Sequence, residues 1–523
     1  MAHVSRIGAV VWTDLLIRIR KPSTLVSFLL LCFVAYLWVP APSSGLALMT
    51  LAKQRVLYNS PTMAFGTALL CSVFLALFGF YLVSHSITHD VQTRCGSVIA
   101  ATPTSNWEYL TGKFLGNVAF LSVLTVGYLL SSMVMQGVRG EAPLDLAAYF
   151  LNYSMMLPPT IVFVASVALL FQSVPQLAGK AGDVLYFFLW AVLLGSAVGL
   201  GSLPGSNPAM YFDFTGMALV EQGLSGQTGT ENLSIGISPF DPALGVLTWE
   251  GFDMPRGWIM SRIVSVLASL PLLVLATLTF HRFDPTRSRI LKEQSGKGWI
   301  QRLDLLTKPA GRMVGSGLSA ASGRTSGLPR AVVFDAALTL QNNPLGSVAL
   351  LATITVSLLA PPGLLARVIM PLGIAALAIL VAGVANREKR AGTADLIRAI
   401  PRLTDRYLLW KFGVALLLGL GFTSIAILKL SAVASGAALS LLCATVLVAS
   451  AATSLGTLTG TPKAFIVLFL SFWYVVLNDG GNTPALDFAG FFGTAGTGVR
   501  LFYLSLAIGL MLVAQVGYRF RAR

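Results

Sequence analysis

Two stretches of this chain carry polar residues in matching order. The first reads Asp90, then Arg94-Cys95-Gly96-Ser97, Pro103, Tyr109, Leu110 and Lys113. The second reads Arg387-Glu388-Lys389-Arg390-Ala391-Gly392-Thr393, then Pro401, Tyr407, Leu408 and Lys411. An Arg-x-Gly-[Ser/Thr] element and a Pro-x5-Tyr-Leu-x2-Lys element are common to both, with two more residues between them in the second copy. Gly96 and Gly392 can break a helix, and Pro103 and Pro401 favour a turn or a fresh start. What lies between is a short segment that can be pressed against a partner. The plainer alternative is a solvated loop whose cations only set orientation.

Other chemistry is sparse. His85 and His89 stand at i, i+4 beside Asp90, a spacing that suits two imidazoles on one metal. Only His3 and His281 remain as further histidines, so a hydrated pair is the favoured reading and no metal is expected. Gly317-Leu-Ser-Ala-Ala-Ser-Gly323-Arg324-Thr325 approaches a phosphate-binding loop, but its spacing is wrong by one residue, Arg replaces Lys, and no strand precedes it. No nucleophile with a base is found, so no catalytic residue is expected. The cysteines Cys32, Cys71, Cys95 and Cys443 are scattered, with no zinc or disulfide spacing.

The elements that must position these stretches are membrane spans. Hydrophobic residues make up 55% of the chain and charged ones 11%, against about 25% charge in soluble domains. Apolar runs near the roughly 20 residues needed to cross a bilayer recur throughout. They fall at approximately 23–39, 62–84, 114–136, 147–171, 182–200, 258–280, 344–362, 364–385, 412–434, 436–458, 463–477 and 498–517. Twelve spans put both termini on one side, and the basic N-terminal segment and tail make that side cytoplasmic. The same topology gathers most of the 36 Lys and Arg residues there, which explains the net charge of +15 without nucleic acid as a partner. The first run resembles a signal peptide but lacks a clear cleavage site, and reads as a retained span.

Before the first span, Ser5 to Lys21 reads as an amphipathic helix. Trp12, Leu15, Leu16 and Ile19 share one face, and Asp14, Arg18 and Lys21 the opposite stripe. Such a helix lies in the interface with its apolar side in membrane lipid. The pattern recurs at Asp335, Thr339 and Asn342 opposite Val333, Ala337 and Leu340, and Pro344 opens the next span. Residues 201–257 are acidic and Gly-rich, an external loop in this topology. Residues 281–330 are basic and end in a Gly/Ser-rich run, read as a flexible cytoplasmic linker. The expected fold is therefore all-α and membrane-embedded, as two parallel-oriented six-helix repeats. The first unit is 1–280, the linker 281–330, the second unit 331–523. Asp183, Arg262, Arg367 and Lys429 fall near span ends, where long side chains reach the interface. Phe74, Phe78 and Tyr81 on the second span could line a path for a lipid-like substrate, but core packing is the favoured reading. Pro158-Pro159 is expected to kink the fourth span.

The layout resembles the ABC-2 family of transporter permeases. The resemblance rests on an interfacial helix, a first hairpin of spans, and an acidic segment with Gly-Thr, as in Glu388 to Thr393. Asp90 to Ser97 and Thr111-Gly112-Lys113 fit more loosely. It implies a permease subunit of an ATP-driven exporter, in a bacterial inner membrane, with no cofactor in this chain. ATP and Mg would be bound by a separate ATPase subunit, in two copies. That subunit would dock on short coupling helices near 90–106 and 387–405, with Asp90, Arg94, Gly96, Ser97, Pro103, Glu388, Arg390, Gly392, Thr393 and Pro401. A periplasmic or lipoprotein accessory subunit is a further implied partner. The competing expectation is a twelve-span, ion-coupled secondary transporter of the major-facilitator type. Charges at mid-membrane, which such a transporter needs, are not found.

Overall fold

The structure is a computed structural model. It describes residues 2–522 apart from 21, 202–210, 221–232, 252–255, 282, 284–298, 395, 397–399 and 401–402. Each of the twelve expected spans is helical. Among the described residues nine helices are long and apolar enough to cross a membrane, or ten if the bent pair Gly327–Asn342 and Pro344–Leu359 counts as one span. The expected spans at 23–39 and 463–477 are the 17-residue helices Pro22–Trp38 and Lys463–Asp479, near the lower limit for crossing a bilayer. The chain is a helical, multi-pass membrane protein.

It divides into two compact units, Met1–Ser295 and Gly296–Arg523. In the first, Ala2–Ile19 and Pro22–Trp38 both pack on Asn106–Arg139. Ser60–Val91 and Leu146–Ser173 form the interior, and Lys180–Gly201 and Arg256–Thr279 complete it. At 34 residues Asn106–Arg139 is about 51 Å long, well beyond the roughly 30 Å hydrocarbon layer. Part of it therefore lies outside that layer, and its first turn is held by a capping box in which Ser105 and Glu108 satisfy each other's backbone N–H. Leu146–Ser173 runs on through Pro158 and Pro159. Phe74 stacks on Phe78 with centroids 4.3 Å apart, and Tyr81 donates to the Asp183 carbonyl at 2.6 Å, which is core packing.

The all-α expectation needs one correction. Strands Leu46–Leu51, Gln54–Val56, Leu233–Pro239 and Val246–Leu247 form a small sheet, in which Leu46–Leu51 lies between Leu233–Pro239 and Gln54–Val56. Leu46–Leu51 and Leu233–Pro239 pair antiparallel, so the segment after the first span and the acidic loop lie at the same end of the unit. The runs were too short and irregular for the alternating pattern that marks a strand. Residues Asp213 to Val220 of that loop enter the core, where Phe214 O accepts from Thr160 Oγ1 at 2.7 Å and Thr215 O from Ser72 Oγ at 2.7 Å.

In the second unit, Pro362–Lys389 and Ser435–Thr459 are the interior helices. The linker expectation also changes. The low-complexity run from Gly315 lies in the helix Trp299–Ser322, which packs on Gly327–Asn342 and Pro344–Leu359. The small residues Gly311 and Gly315 bring it close to Leu340, Pro344 and Gln341. Leu340 is buried there rather than turned to lipid. Lys429 caps the far end of Pro344–Leu359, donating to Ser357, Leu358 and Ala360 carbonyls at 3.0, 2.8 and 2.9 Å, as a cation at a helix C-terminus should.

The sheet is tied to the helices by Glu141. Its carboxylate accepts from both Arg55 Nη atoms at 2.7 and 2.6 Å and from Tyr58 N at 3.1 Å. The Arg55 hydrogen bonds hold this carboxyl below its usual value. A depressed folded pKa stabilises above the unfolded pKa and loses that contribution as pH falls through the folded one. Hydrogen-exchange protection of Leu46–Leu51 and Gln54–Val56 is therefore expected to hold at about pH 5 and to fall below about pH 4. Glu141→Gln should show weaker protection throughout and no such step.

Candidate functional site

The matching stretches flank a buried cluster of charges in each unit. In the first unit, Lys113 Nζ stands 2.8 Å from Asp14 Oδ1 and 2.9 Å from Asp90 Oδ2. Tyr109 OH donates to Asp90 Oδ2 at 2.7 Å. Arg18 Nη2 adds a second cation, 2.8 Å from Asp14 Oδ2 and 2.6 Å from Asn117 Oδ1. Burial pulls the Arg18 guanidinium below its ordinary value, and Asp14 pulls it back up.

In the second unit, Lys411 Nζ stands 2.8 Å from Asp335 Oδ2 and also bonds Glu388 Oε1. Tyr407 OH donates to Glu388 Oε2 at 3.0 Å. The second cation is Arg387, bonded to Asp335 Oδ1 and, at 2.6 Å, to Thr339 Oγ1. Each cluster thus sets two carboxylates against two cations. Lys411 is 0% exposed.

The parts correspond closely. In both units the acid at the end of one helix stands 19 residues before the tyrosine, and the lysine follows one turn later on the same helix. Each tyrosine ring stacks on an aromatic near the end of another long helix: Tyr109 on Phe280 at 5.6 Å, Tyr407 on Tyr518 at 5.1 Å. The second carboxylate always comes from the amphipathic helix, Asp14 or Asp335. Each cluster therefore fastens that helix to the two helices on either side of the intervening segment. Small residues allow the approach. A methyl at Gly112 would meet Val10, and one at Gly413 would meet Val332.

The expected stripes of the amphipathic helices are reassigned by this packing. Trp12 is 63% exposed and Leu15 half-buried, as an interfacial face requires, but Asp14 and Arg18 are buried among helices instead of hydrated. In the second helix Asp335 and Leu340 are both buried and Val333 is half-buried. The favourable partner for each carboxylate is a lysine inside the protein, which outcompetes water only because the opposing charge is already there.

The register of the two segments also changes. Four residues after each acid the backbone turns left-handed, at Arg94 (φ 60°) and at Gly392 (φ 70°). Gly392 therefore corresponds to Arg94, and the apparent two-residue difference disappears. Gly96 is buried within the short helix Cys95–Ala101, against the Phe283 ring. A side chain at Arg94 costs about 1–2 kcal/mol in this conformation. Ser97 Oγ donates to Arg94 O at 2.7 Å, and Pro103 O accepts from Arg6 Nη1 at 3.1 Å. Thr393 N donates to Glu388 O at 2.9 Å. Arg390 ends the turn Arg387–Arg390; its side chain and Pro401 lie outside the described residues. His89 Nδ1 is 3.8 Å from Asp90 Oδ1, while Asp90 is engaged by Lys113 and Tyr109.

Sequence reasoning found Tyr109, Lys113, Tyr407 and Lys411 as a motif but gave them no role. The signal was available: an acid on an amphipathic helix, a second acid at a span end and a lysine at the next span start occur in both halves. One further correspondence was missed. Eight residues after each acid is an exposed aliphatic side chain, Val98 at 67% and Leu396 at 68% exposure.

Removing one charge from such a cluster leaves its partners buried and uncompensated. Lys411→Met is expected to destabilise the protein by about 3–5 kcal/mol in thermal unfolding. The charge-balanced pair Glu388→Gln and Lys411→Met, which leaves Arg387 on Asp335, should recover most of that loss. Comparison of the chain with models of protein families, with curated proteins and with solved structures found no match.

Proposed function

We propose that this chain is the membrane-spanning permease of an ATP-driven exporter of the ABC-2 type, with two six-span units of the same orientation in one polypeptide. The observation that carries the reading is the pair of matched charge clusters, each beside a short segment with an exposed aliphatic residue, Val98 or Leu396. A segment that is pushed by a partner must be fastened to the helices that are to move. Asp14–Lys113–Asp90 and Asp335–Lys411–Glu388 are such fastenings, since their charges cannot separate without exposure of an unpaired ion to a dry interior. An exposed aliphatic side chain eight residues after the acid in both segments is what a docking contact made once per unit would use.

In this reading twelve crossings put both termini in the cytoplasm of a bacterial inner membrane, and both segments face that side. Two copies of a separate ATP-hydrolysing subunit, carrying ATP and Mg, dock there. The sheet, at the other end of the first unit, is the surface for a periplasmic or lipoprotein accessory subunit.

Purification of the full chain with its associated ATPase tests this. Val98→Glu and Leu396→Glu should each cut recovery of the nucleotide-hydrolysing subunit at least severalfold, and the double variant should abolish it, with the permease still folded. Transport driven by a proton gradient in a preparation free of any such subunit would refute the proposal.

A further inference from the structure

Arg262 is expected from the sequence to reach the interface from a span end. It is instead buried, with its side chain 6% exposed, between Arg256–Thr279, Leu146–Ser173 and residues 213–216. Among the described residues none of Nε, Nη1 or Nη2 has a hydrogen-bond acceptor. The nearest carboxylate oxygen, Asp213 Oδ2, is 3.9 Å away, beyond hydrogen-bond reach. Asp213 is already committed to its own loop. Oδ1 accepts from Thr215 N, Thr215 Oγ1 and Gly216 N at 3.1, 2.9 and 2.9 Å, and Oδ2 from Ala218 N at 2.8 Å. Ser261 Oγ, one residue before, is another buried polar atom without a partner among the described residues.

The second unit has the same parts, but there they are satisfied. Asp487 gathers its loop by accepting from Thr494 N at 2.9 Å and Thr494 Oγ1 at 3.2 Å. Arg500, near the start of the following helix, donates from Nε to Ser440 Oγ at 2.9 Å and from Nη2 to Ala495 O at 2.8 Å. Of these two arginines, Arg262 is the one whose guanidinium lacks an acceptor among the described residues. A buried guanidinium without an acceptor is costly, and its planar fork of donors matches an oxyanion.

We propose that Arg262 is the binding residue of a phosphate site. It is the seventh residue of Arg256–Thr279, about 9 Å from the end nearer the sheet. That depth is close to the layer where lipid headgroups meet hydrocarbon. The Met156 thioether, which lies with Arg262 beside Gly216, is a flexible side chain that can move to admit the group. Two sources supply the same chemistry, a phospholipid headgroup and a soluble phosphate.

The full chain, purified in a sugar-headgroup detergent and phosphate-free buffer, distinguishes them by thermal unfolding. Inorganic phosphate is titrated at constant ionic strength, and a short-chain phospholipid is titrated separately. A saturable rise of roughly 3–6 °C is expected with at least one of them. Response to inorganic phosphate identifies the soluble ion, and response to the lipid alone identifies the headgroup. The rise should be absent in Arg262→Gln and kept in Arg500→Gln. Arg262→Lys, which keeps a cation beside Asp213 but loses the planar fork of donors, should stay folded and show a weaker rise. No rise with either probe, or a rise that survives Arg262→Gln, overturns the site.

Discussion

A lysine held between two carboxylates from different helices is the constraint on which each unit depends. Lys113 joins Asp14 to Asp90, and Lys411 joins Asp335 to Glu388. In water such pairs contribute little. Taken out of water, they enforce geometry, because any displacement strands a charge among apolar side chains. Three elements otherwise free to slide are thereby held in one register: an amphipathic helix, the end of one long helix and the start of the next. The tyrosine beside each lysine completes the arrangement, with its hydroxyl on the acid and its ring on a further helix.

The two units differ in where the second cation is rooted. Arg18 lies on the same helix as Asp14, one turn away, so it neutralises charge without tying a new element. Arg387 lies beside Glu388 on the segment itself and reaches across to Asp335 and Thr339. The second segment thus takes its further tie to the amphipathic helix at the acid itself, whereas the first takes it at its far end, where Arg6 Nη1 donates to Pro103 O at 3.1 Å. The left-handed turn follows the same contrast: glycine adopts it freely at 392, whereas Arg94 holds it against steric cost.

Much of this architecture was legible in the residues. Long apolar runs locate helices because nothing else satisfies backbone polar groups in hydrocarbon, and all twelve runs are helical. The Tyr-Leu-x2-Lys element marked the correct helix starts. What periodicity could not reveal was which way a polar stripe faces. Asp14 and Arg18 were assigned to water since one sequence shows amphipathicity but not the partner that makes burial tolerable. Composition misled at Gly315 to Gly323, where glycines read as linker serve as close-approach points for a packed helix. The alignment of Gly96 with Gly392 failed because a glycine signature was matched where backbone conformation, shared by Arg94 and Gly392, was the conserved physical demand.

The four-stranded sheet has a consequence for the order in which the first unit is completed. Leu46–Leu51 forms a hairpin with Gln54–Val56 at once, yet its other edge pairs with Leu233–Pro239, which the ribosome delivers much later. At roughly 5–20 residues per second that interval is on the order of ten to forty seconds, during which a hydrogen-bonding edge stays open. Four helices, from Ser60–Val91 to Lys180–Gly201, are synthesised in between. Assembly of this unit is thus gated by a late strand rather than by its early helices, and the waiting edge is where a chaperone or a misplaced neighbour would first take hold.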